Sequence, residues 1–320
     1  MGNPLAPLSL DLDNKWSYLK THGNPVWESF PSYIETVVPR ALDTLDGLGI
    51  TCTFFIVGKD AEDPANHEPM AEIARRGHEI GNHSYMHEPW LHLYDRDQIR
   101  TDFSRAHDAI ARATGSEPIG FRGPGYSLSR TALEELHSMG YRYDATLFPN
   151  LLNPVGRLYY FMKSNLSPEE RRQRKALFGT IRDAFRPNAP FRWDLAEEGL
   201  LEIPVTTMPG FRIPFHFSYL IYLARYSPAL ARAYFRTCLF LCRARGVAPS
   251  LLLHPLDFLG VEDEPELGFF PGMDMPRARK LELTREFLEI IAAWYRPTTL
   301  SDYAESLEPR RLQPLSTLAG

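Results

Sequence analysis

Cysteine is scarce in this sequence, and its scarcity excludes two classes of small, cross-linked domain. The 320 residues contain three cysteines, Cys52, Cys238 and Cys242. They are too few and too scattered for a disulfide framework or a zinc knuckle, and we expect Cys238 and Cys242 in the core or on a helix face. With 44% hydrophobic and 23% charged residues, the chain has the composition of a soluble globular protein with a sizeable core.

Long apolar runs and an excess of positive charge are also lacking. No stretch of about 20 apolar residues is present, which excludes a membrane-spanning helix. The first seven residues show neither the basic region nor the apolar region of a secretory signal, so we expect a cytoplasmic protein. The net charge of -5 and the isoelectric point near 6.1 give no support to a nucleic-acid partner.

Two histidines four residues apart, His83 and His87, follow a short apolar segment. On a helical turn, residues i and i+4 lie on the same face, so both imidazoles can bind one divalent metal. The chain has 10 histidines, and such a pair is also expected by chance on a polar surface helix. The pair alone is therefore weak evidence for a metal site, and the interpretation depends on the other motifs of the chain.

Two aspartates near the start of the chain, Asp11 and Asp13, alternate with Leu10 and Leu12 in a strand pattern. Alternation places both carboxylates on the same side of the strand. Carboxylates at a strand's end, together with a metal-type histidine pair, are typical of a hydrolytic site. A solvated strand end is the competing interpretation.

Predicted strands and helices alternate through most of the chain, with short connections. The strands are expected at 8–13, 50–57, 78–83, 119–122, 141–145, 200–207 and 250–255, and the main helices at 31–48, 68–76, 95–114, 129–139, 215–226, 228–245 and 277–295. This alternation favours parallel β/α units in a barrel or a wound sheet. Active residues gather at the carboxyl ends of strands in such folds. The candidates that follow predicted strands are Asp11, Asp13, His83, His87, Arg122, Tyr126 and Asp144.

Three regions depart from this alternation. At 151–200, a charged helix that begins at Ser167 predicts a helical insertion over one face of the fold. The helices at 215–245 are rich in aliphatic, aromatic and arginine residues, so they either cover the barrel or lie on an anionic membrane. Residues 310–320 are expected to form a loose tail. With no internal repeats, the whole chain, 1–320, is expected to form a single catalytic domain.

Taken in order, the motifs resemble those of the polysaccharide deacetylases, carbohydrate esterase family four with the NodB-homology domain. The resemblance is carried by the motifs at 10–13, 83–87, 122–126, 143–145 and 251–254, and it spans roughly 7–150 and 200–305. It implies a distorted, incomplete (β/α)7 barrel with a helical insertion. It also implies a metal-dependent hydrolase that removes an N-acetyl or similar N-acyl group from a sugar or glycan.

The resemblance further implies the metal ligands and the general base. Asp13, His83 and His87 would hold one divalent metal, most commonly zinc (Zn2+), with cobalt, nickel or manganese as alternatives. Asp11 would be the general base, and Arg122 would pair with it. Because Leu12 separates two aspartates that are adjacent in most members, the roles of Asp11 and Asp13 could be exchanged.

The end of the third motif implies the oxyanion donor, and the later motifs imply the general acid and the acyl pocket. The backbone N–H of Tyr126 would stabilise the oxyanion, and His254 would protonate the leaving amine. Asp144 would either orient His254 or cap its own strand. Phe148 and Leu251 are expected to contact the substrate, and the acyl pocket is expected to differ because Phe148 lies where many members carry a tryptophan.

Three alternatives stay open. One is a deformylase or deacetylase of a lipid-linked amino sugar at the cytoplasmic membrane face, which the lack of a secretory signal favours. A metal-independent cyclic amidase is disfavoured because His83 and His87 are both present. A non-catalytic carbohydrate-binding relative is disfavoured because every expected catalytic residue type is present.

Overall fold

A mostly parallel sheet runs through the part of the chain that the computed structural model describes, which is residues 2–152, 183–195, 199–307, 312 and 314–315. Within these residues the strands are β1 Leu5–Leu12, β2 Thr53–Ile56, β3 Glu79–Asn82, β4 Gly120–Phe121, β5 Tyr143–Asp144, β6 Phe191–Trp193, β7 Leu201–Glu202, β8 Leu251–Leu253, β9 Arg296–Thr298 and β10 Pro314–Leu315. Their order is β10-β6-β7-β5-β4-β3-β2-β1-β8, and β9 pairs with the start of β1.

Seven of these strands form the barrel wall that the sequence predicts, namely β7, β5, β4, β3, β2, β1 and β8 in spatial order. Neighbours within this set are parallel. The described sheet is open, but beyond β7 the Thr206 N–H donates to the Ser250 carbonyl beside β8 at 2.9 Å. The two edges therefore approach each other, and the predicted fold, a distorted and incomplete barrel, is confirmed.

Helices follow most strands and cover the sheet. In the described residues they are α1 Lys15–His22, α2 Ile34–Asp46, α3 Gly58–Ala61, α4 His67–Arg75, α5 Arg96–Thr114, α6 Arg130–Ser138, α7 Phe217–Tyr226, α8 Pro228–Ala244, α9 Arg277–Trp294 and α10 Leu300–Ser306. The main helices lie where the apolar periodicity predicts them. The short helices α1 and α3 were not predicted, because eight and four residues are too few to show a periodic apolar face.

Local capping explains why the helix bounds fall where they do, and α5 is the clearest case. Asp95 accepts a hydrogen bond from the Gln98 N–H at 2.9 Å, and the Gln98 side chain accepts one from the Asp95 N–H at 3.0 Å. Such a capping box stabilises a helix start by about 1 kcal/mol. The helix ends at Gly115, whose φ of 72° is the left-handed conformation that glycine adopts at low cost.

Alternation along β1 separates the core from the interior of the barrel. Leu8, Leu10 and Leu12 are buried in the main hydrophobic cluster beneath the helices. Each buried leucine contributes about 1.5–3 kcal/mol to folding. Ser9 and Asp11 take the alternate positions and contact Arg122 from β4's end. The strand is therefore fixed in register by its leucines while its polar residues face the site.

The helices α7 and α8 each bury one face in the main hydrophobic cluster. Their buried side chains include Leu220, Ile221, Phe235, Leu239 and both cysteines, Cys238 and Cys242. Among the described residues, no helix combines the length and the apolar character that crossing a bilayer requires. Four aromatic residues of the pair stay exposed, namely Tyr219, Tyr222, Tyr226 and Phe240.

The region from 151 to 200 and the tail differ from expectation where they can be compared. The helix predicted at Ser167 lies outside the described residues. The described end of this region contributes β6, which pairs antiparallel with β7. The predicted loose tail is wrong for its described residues, because β10 pairs with β6 and the Asp194 N–H donates to the Leu315 carbonyl at 2.9 Å. An edge strand with unpaired backbone groups can recruit such a segment.

Candidate active site

Four strands of the barrel wall, β4, β3, β1 and β8, bring the predicted polar residues to one edge of the sheet. Asp11 lies near the end of β1, His83 directly follows β3, Arg122 directly follows β4, and His254 directly follows β8. Because these strands are parallel, their carboxyl ends meet at the same edge. The structure therefore brings residues that are more than 240 positions apart in sequence into one site.

The two histidines, His83 and His87, lie on an irregular loop after β3, so the prediction that they share a helical turn is wrong. Ser84 and His87 adopt left-handed φ values of 62° and 48°. A non-glycine residue in this conformation costs about 1–2 kcal/mol, so the loop stores strain at the site. The Asn82 side chain holds the first turn by accepting the Ser84 N–H at 2.8 Å. The backbone geometry, rather than a helix face, turns both rings toward Asp13.

Asp13, His83 and His87 form a buried three-residue cluster. The Asp13 Oδ1 atom lies 2.8 Å from His87 Nε2 and 3.2 Å from His83 Nε2. One ligand atom from each residue lies within 4.8 Å of the others. Two imidazoles and one carboxylate are a donor set typical of catalytic divalent-metal sites.

The hydrogen bonding of His83 shows that this donor set fits a cation. Its Nδ1 lies 2.7 Å from the Arg122 carbonyl oxygen, which can only accept, so Nδ1 carries a proton. In the neutral ring, the Nε2 lone pair then faces the carboxylate of Asp13. Asp13 Oδ1 is buried and accepts no hydrogen bond from any other group in the described part of the chain. A divalent cation between these facing lone pairs would satisfy them all.

The electrostatics of the cluster also favour a cation. Burial opposes a charge on Asp13, but the two adjacent imidazoles, first His87 and then His83, hold the pKa of Asp13 well below its usual range. Burial also lowers the pKa of His83, but Asp11 and Asp13 outweigh it and raise that pKa. Negative potential from two carboxylates thus converges on the histidine nitrogens.

Arg122 fixes Asp11 beside this cluster. Its guanidinium, which is 1% exposed, donates through Nη1 to Asp11 Oδ1 at 2.7 Å and to Ser9 Oγ at 2.6 Å. Its Nε donates to the Ala145 carbonyl at 2.9 Å. The second carboxylate oxygen, Asp11 Oδ2, lies 3.9 Å from His83 Nε2. One oxygen of Asp11 is therefore held by a buried cation, and the other points toward the histidines.

The backbone N–H of Tyr126, which is the predicted oxyanion donor, is not free in this structure. The Tyr126 N–H donates to the Gly123 carbonyl at 3.2 Å, so this amide already has a partner. Gly125 and Tyr126 both have left-handed φ, and a Cβ at Gly125 would lie 2.7 Å from a Pro89 side-chain atom. This close approach requires glycine and fixes the turn against the histidine loop.

Phe148 lies in the site, whereas Leu251 does not. Phe148 packs with Leu252 and Val205, and its ring centroid lies 4.6 Å from that of Tyr126. Leu251 is buried in the main cluster beneath the helices. Because side chains alternate along β8, the residue that shares a side with His254 is Leu252. Leu251 therefore faces away from His254, and Leu252 takes the position that the sequence analysis gave to Leu251.

His254 is oriented by residues that the sequence interpretation missed. Its Nδ1 lies 3.1 Å from Ser218 Oγ, and that hydroxyl donates to Asp257 Oδ1 at 2.9 Å. Asp257 also accepts the His254 backbone N–H at 2.8 Å. The spacing of three residues between His254 and Asp257 was a usable local signal. Ser218 comes from α7, and no local pattern connects it to the histidine.

Asp144, the other residue proposed to orient His254, lies elsewhere. It is wholly buried in β5, where its Oδ1 accepts the Thr146 hydroxyl at 2.5 Å. Its neighbour is Glu202 of β7. Burial raises the pKa of both carboxyls, and the charge of Asp144 raises the pKa of Glu202 further, whereas a hydrogen bond with Glu202 lowers the pKa of Asp144 in part. The structure therefore favours the alternative in which Asp144 serves its own strand end.

Comparisons with known proteins agree with these motifs. A family model described as polysaccharide deacetylase matches residues 19–143. The chain is 35% identical over 86 residues to a peptidoglycan-N-acetylglucosamine deacetylase of Bacillus cereus, covering 27% of this chain and 30% of that protein. It is 27% identical over 157 residues to a peptidoglycan deacetylase of Helicobacter pylori, covering 47% and 52%. The chain thus spans about half or less of the curated relatives it matches.

A solved structure shows the same fold over the whole chain. It is described as a polysaccharide deacetylase from Mycobacterium smegmatis, and it aligns with a TM-score of 0.66. The alignment covers 100% of this chain and 96% of that one, at 24% identity. This likeness confirms the architecture, including β7, α7 and β8, which lie beyond the residues that the family model matches.

Proposed function

We propose that this chain, whose residues 19–143 match the polysaccharide deacetylase family model, is a metal-dependent hydrolase that removes an N-acetyl or similar N-acyl group from a glycan. The observation that carries the proposal is the cluster of Asp13, His83 and His87 beside the Arg122-bound carboxylate of Asp11. A metal-binding set next to a positioned base is the arrangement that amide hydrolysis needs.

Asp13, His83 and His87 would hold the metal, and Asp11 would act on the attacking water. The chemistry that a bound divalent metal supplies is Lewis acidity, which polarises the acyl carbonyl and lowers the pKa of water. Asp11 takes a proton through Oδ2 as the water oxygen adds to the acyl carbon. Arg122 keeps the Asp11 carboxylate in one orientation, because its Nη1 binds the other oxygen at 2.7 Å.

The tetrahedral intermediate then collapses with help from Tyr126 and His254. The Tyr126 N–H, whose bond to Gly123 is long at 3.2 Å, would be shared with the developing oxyanion. Ser218 donates its proton to Asp257, so it accepts from His254 Nδ1–H, and the proton that moves is the one on Nε2. His254 gives that proton to the amine as the C–N bond breaks, which leaves a carboxylate and a free amine.

The direct test measures metal content and amine release together. Purified protein is stripped with a chelator, its metal content is verified by mass spectrometry, and release of amine from N-acetylated oligosaccharides is followed. Activity should disappear on stripping and return with zinc, cobalt, nickel or manganese. Full activity in a verified metal-free protein would contradict the proposal, and so would no turnover of any N-acyl glycan by the metal-loaded protein.

No observation favours the alternative of a lipid-linked sugar at a membrane face. Two arginines of the helices α7 and α8 are already paired, Arg225 with Asp274 at 2.5 Å and Arg232 with Glu286 at 3.1 Å. Paired cations contribute less to binding an anionic surface. The cytoplasmic location and the single catalytic domain stay predictions.

A further inference from the structure

Three tyrosines form a row along the outer face of α7. Tyr219, Tyr222 and Tyr226 are 41%, 37% and 66% exposed, whereas Leu220 and Ile221 on the opposite face are buried. Their spacing of three and four residues places them on one face of the helix, over about 10 Å of its length. The hydroxyls of Tyr222 and Tyr226 lie 3.2 Å apart. We call these residues the tyrosine row.

The tyrosine row begins at the candidate active site. The Tyr219 ring meets His216 edge to face, with 4.7 Å between centroids. His216 in turn lies 5.7 Å from His254 and 5.7 Å from Phe148, again between ring centroids. Ring contacts therefore connect the candidate acid and Phe148 with Tyr219, and Tyr222 and Tyr226 extend the same helix face toward the end of α7.

His216 carries an unexplained polar atom at this junction. The residue is 4% exposed, and its Nδ1 has no hydrogen-bond partner among the described residues. A buried polar group without a partner is unfavourable, and in a native structure it calls for an explanation. Burial, with the nearby His254 and Arg122, holds the pKa of His216 well below its usual range. The neutral ring can therefore offer one donor and one acceptor to a ligand.

We propose that His216 and the tyrosine row form a binding surface for the sugar rings that precede or follow the ring being deacylated. This inference rests on the proposed function and deepens it. Sugar rings present apolar C–H faces and hydroxyl edges. Tyrosine matches both, because it combines a flat apolar ring with a polar tip. His216 would hydrogen-bond a hydroxyl or an amide of the ring nearest to His254.

The charges on α7 favour a neutral chain over an anionic ligand. Arg225 lies between Tyr222 and Tyr226 in sequence, and its guanidinium is paired with Asp274 while lying 5.5 Å from the Tyr226 ring. The helix has no acidic residue in its first turn and therefore shows no charge pattern suited to a basic partner. Stacking and hydroxyl contacts, rather than ion pairing, dominate this face.

The test follows turnover as a function of chain length. N-acetylglucosamine oligomers from monomer to hexamer are compared on the wild type, Tyr222→Ala, Tyr226→Ala and the double variant. We expect KM for the hexamer to rise about three- to tenfold in each single variant, with little change in kcat. The effect should grow with chain length. Phe240→Ala, a control at an exposed aromatic of α8 that is 58% exposed, should leave all lengths unchanged.

His216→Phe tests the junction separately. Phenylalanine keeps an aromatic ring beside Tyr219 but removes both nitrogens. We expect weaker binding of the dimer as well as the hexamer, because the nearest added ring loses a hydrogen bond. Thermal melting of each variant shows whether it has folded. If all folded variants act on every length as the wild type does, the tyrosine row is not a substrate site and the inference is overturned.

Direct binding separates a failure of this inference from a failure of the proposed function. Calorimetric titration of Asp11→Asn with the hexamer measures affinity without turnover, with and without Tyr222→Ala and Tyr226→Ala. Row-dependent binding by a protein that hydrolyses no N-acyl glycan would support this site and contradict the hydrolase. Turnover that does not depend on chain length would support the hydrolase and contradict the binding role of the tyrosine row. Row-dependent co-sedimentation with lipid vesicles, in place of glycan binding, would assign the face to a membrane and overturn the inference.

Discussion

Two buried aspartates at the ends of barrel strands, Asp11 and Asp144, have opposite surroundings. Asp11 binds the guanidinium of Arg122 and keeps one oxygen toward the histidines. Asp144 faces Glu202, and burial raises the pKa of both carboxyls. The charge of Asp144 raises the pKa of Glu202 further. Position at a strand end therefore identifies candidate catalytic carboxylates, but the charge of the neighbouring side chain determines which of them can serve as a base.

The largest effect is expected from removing a metal ligand. His87→Ala takes away one of the two imidazoles that meet Asp13, so bound metal should fall to background and activity should drop by about 10³-fold or more. Mass spectrometry of the purified variant measures its bound metal, and amine release measures its activity. His137→Ala on α6 is the matched control and should retain both. A variant that keeps full metal and activity would remove His87 from the site.

The next effect compares the two aspartates directly. Asp11→Asn should keep its metal but lower kcat by about 10²–10⁴-fold, because an amide cannot accept the proton from water. Asp144→Asn should change kcat by less than about threefold, since it does not touch the reacting groups. Metal content is measured beside kcat. If Asp11→Asn loses metal while Asp13→Asn keeps it, the two roles are exchanged, as the unusual spacing around Leu12 allows.

A smaller effect is expected at Ser218, which positions His254. Ser218→Ala removes the acceptor of the His254 Nδ1–H and leaves Asp257 bound to the backbone N–H alone. We expect kcat to fall about tenfold with little change in KM, and the alkaline limb of the kcat profile to move. Ser218→Thr retains a hydroxyl and should restore most of the rate. Equal profiles for the alanine variant and the wild type would show that Ser218 does not orient the acid.

Much of the scaffold could be predicted because its signals are local. Apolar periodicity and capping residues such as Asp95 place the seven barrel strands and the main helices within a few residues. The metal-type residues were also predicted from their motifs, and the structure brings them together. The alternation of β8 could have selected Leu252 over Leu251, since it shares the side of His254.

What the sequence did not show depends on pairing between distant parts of the chain. β6 and β10 are three and two residues long, and each is specified by its partner rather than by its own pattern. Ser218 reaches His254 from another element. The histidine loop was misjudged because left-handed residues at Ser84 and His87 bring the rings together without a helix. Non-glycine residues adopt that conformation rarely, so no propensity rule predicts it.

The smallest effect concerns stability and tests the Asp144 side of the comparison. The pKa of Asp144 and that of Glu202 are raised in the folded protein, so the native state binds more protons than the unfolded chain above about pH 4. The stabilisation that these raised pKa values contribute is complete below the pKa values of the two carboxyls in the unfolded chain. It is lost as the pH rises through their pKa values in the folded protein. Asp144→Asn removes one titrating group and supplies an N–H donor to Glu202. We expect its free energy of unfolding, from urea titrations between pH 4 and pH 8, to fall less with rising pH than that of the wild type. Thr146, whose hydroxyl binds the retained oxygen, keeps its partner in this variant. Parallel slopes for the two proteins would mean that the pair does not share a proton, and the contrast with Asp11 would then rest on Arg122 alone.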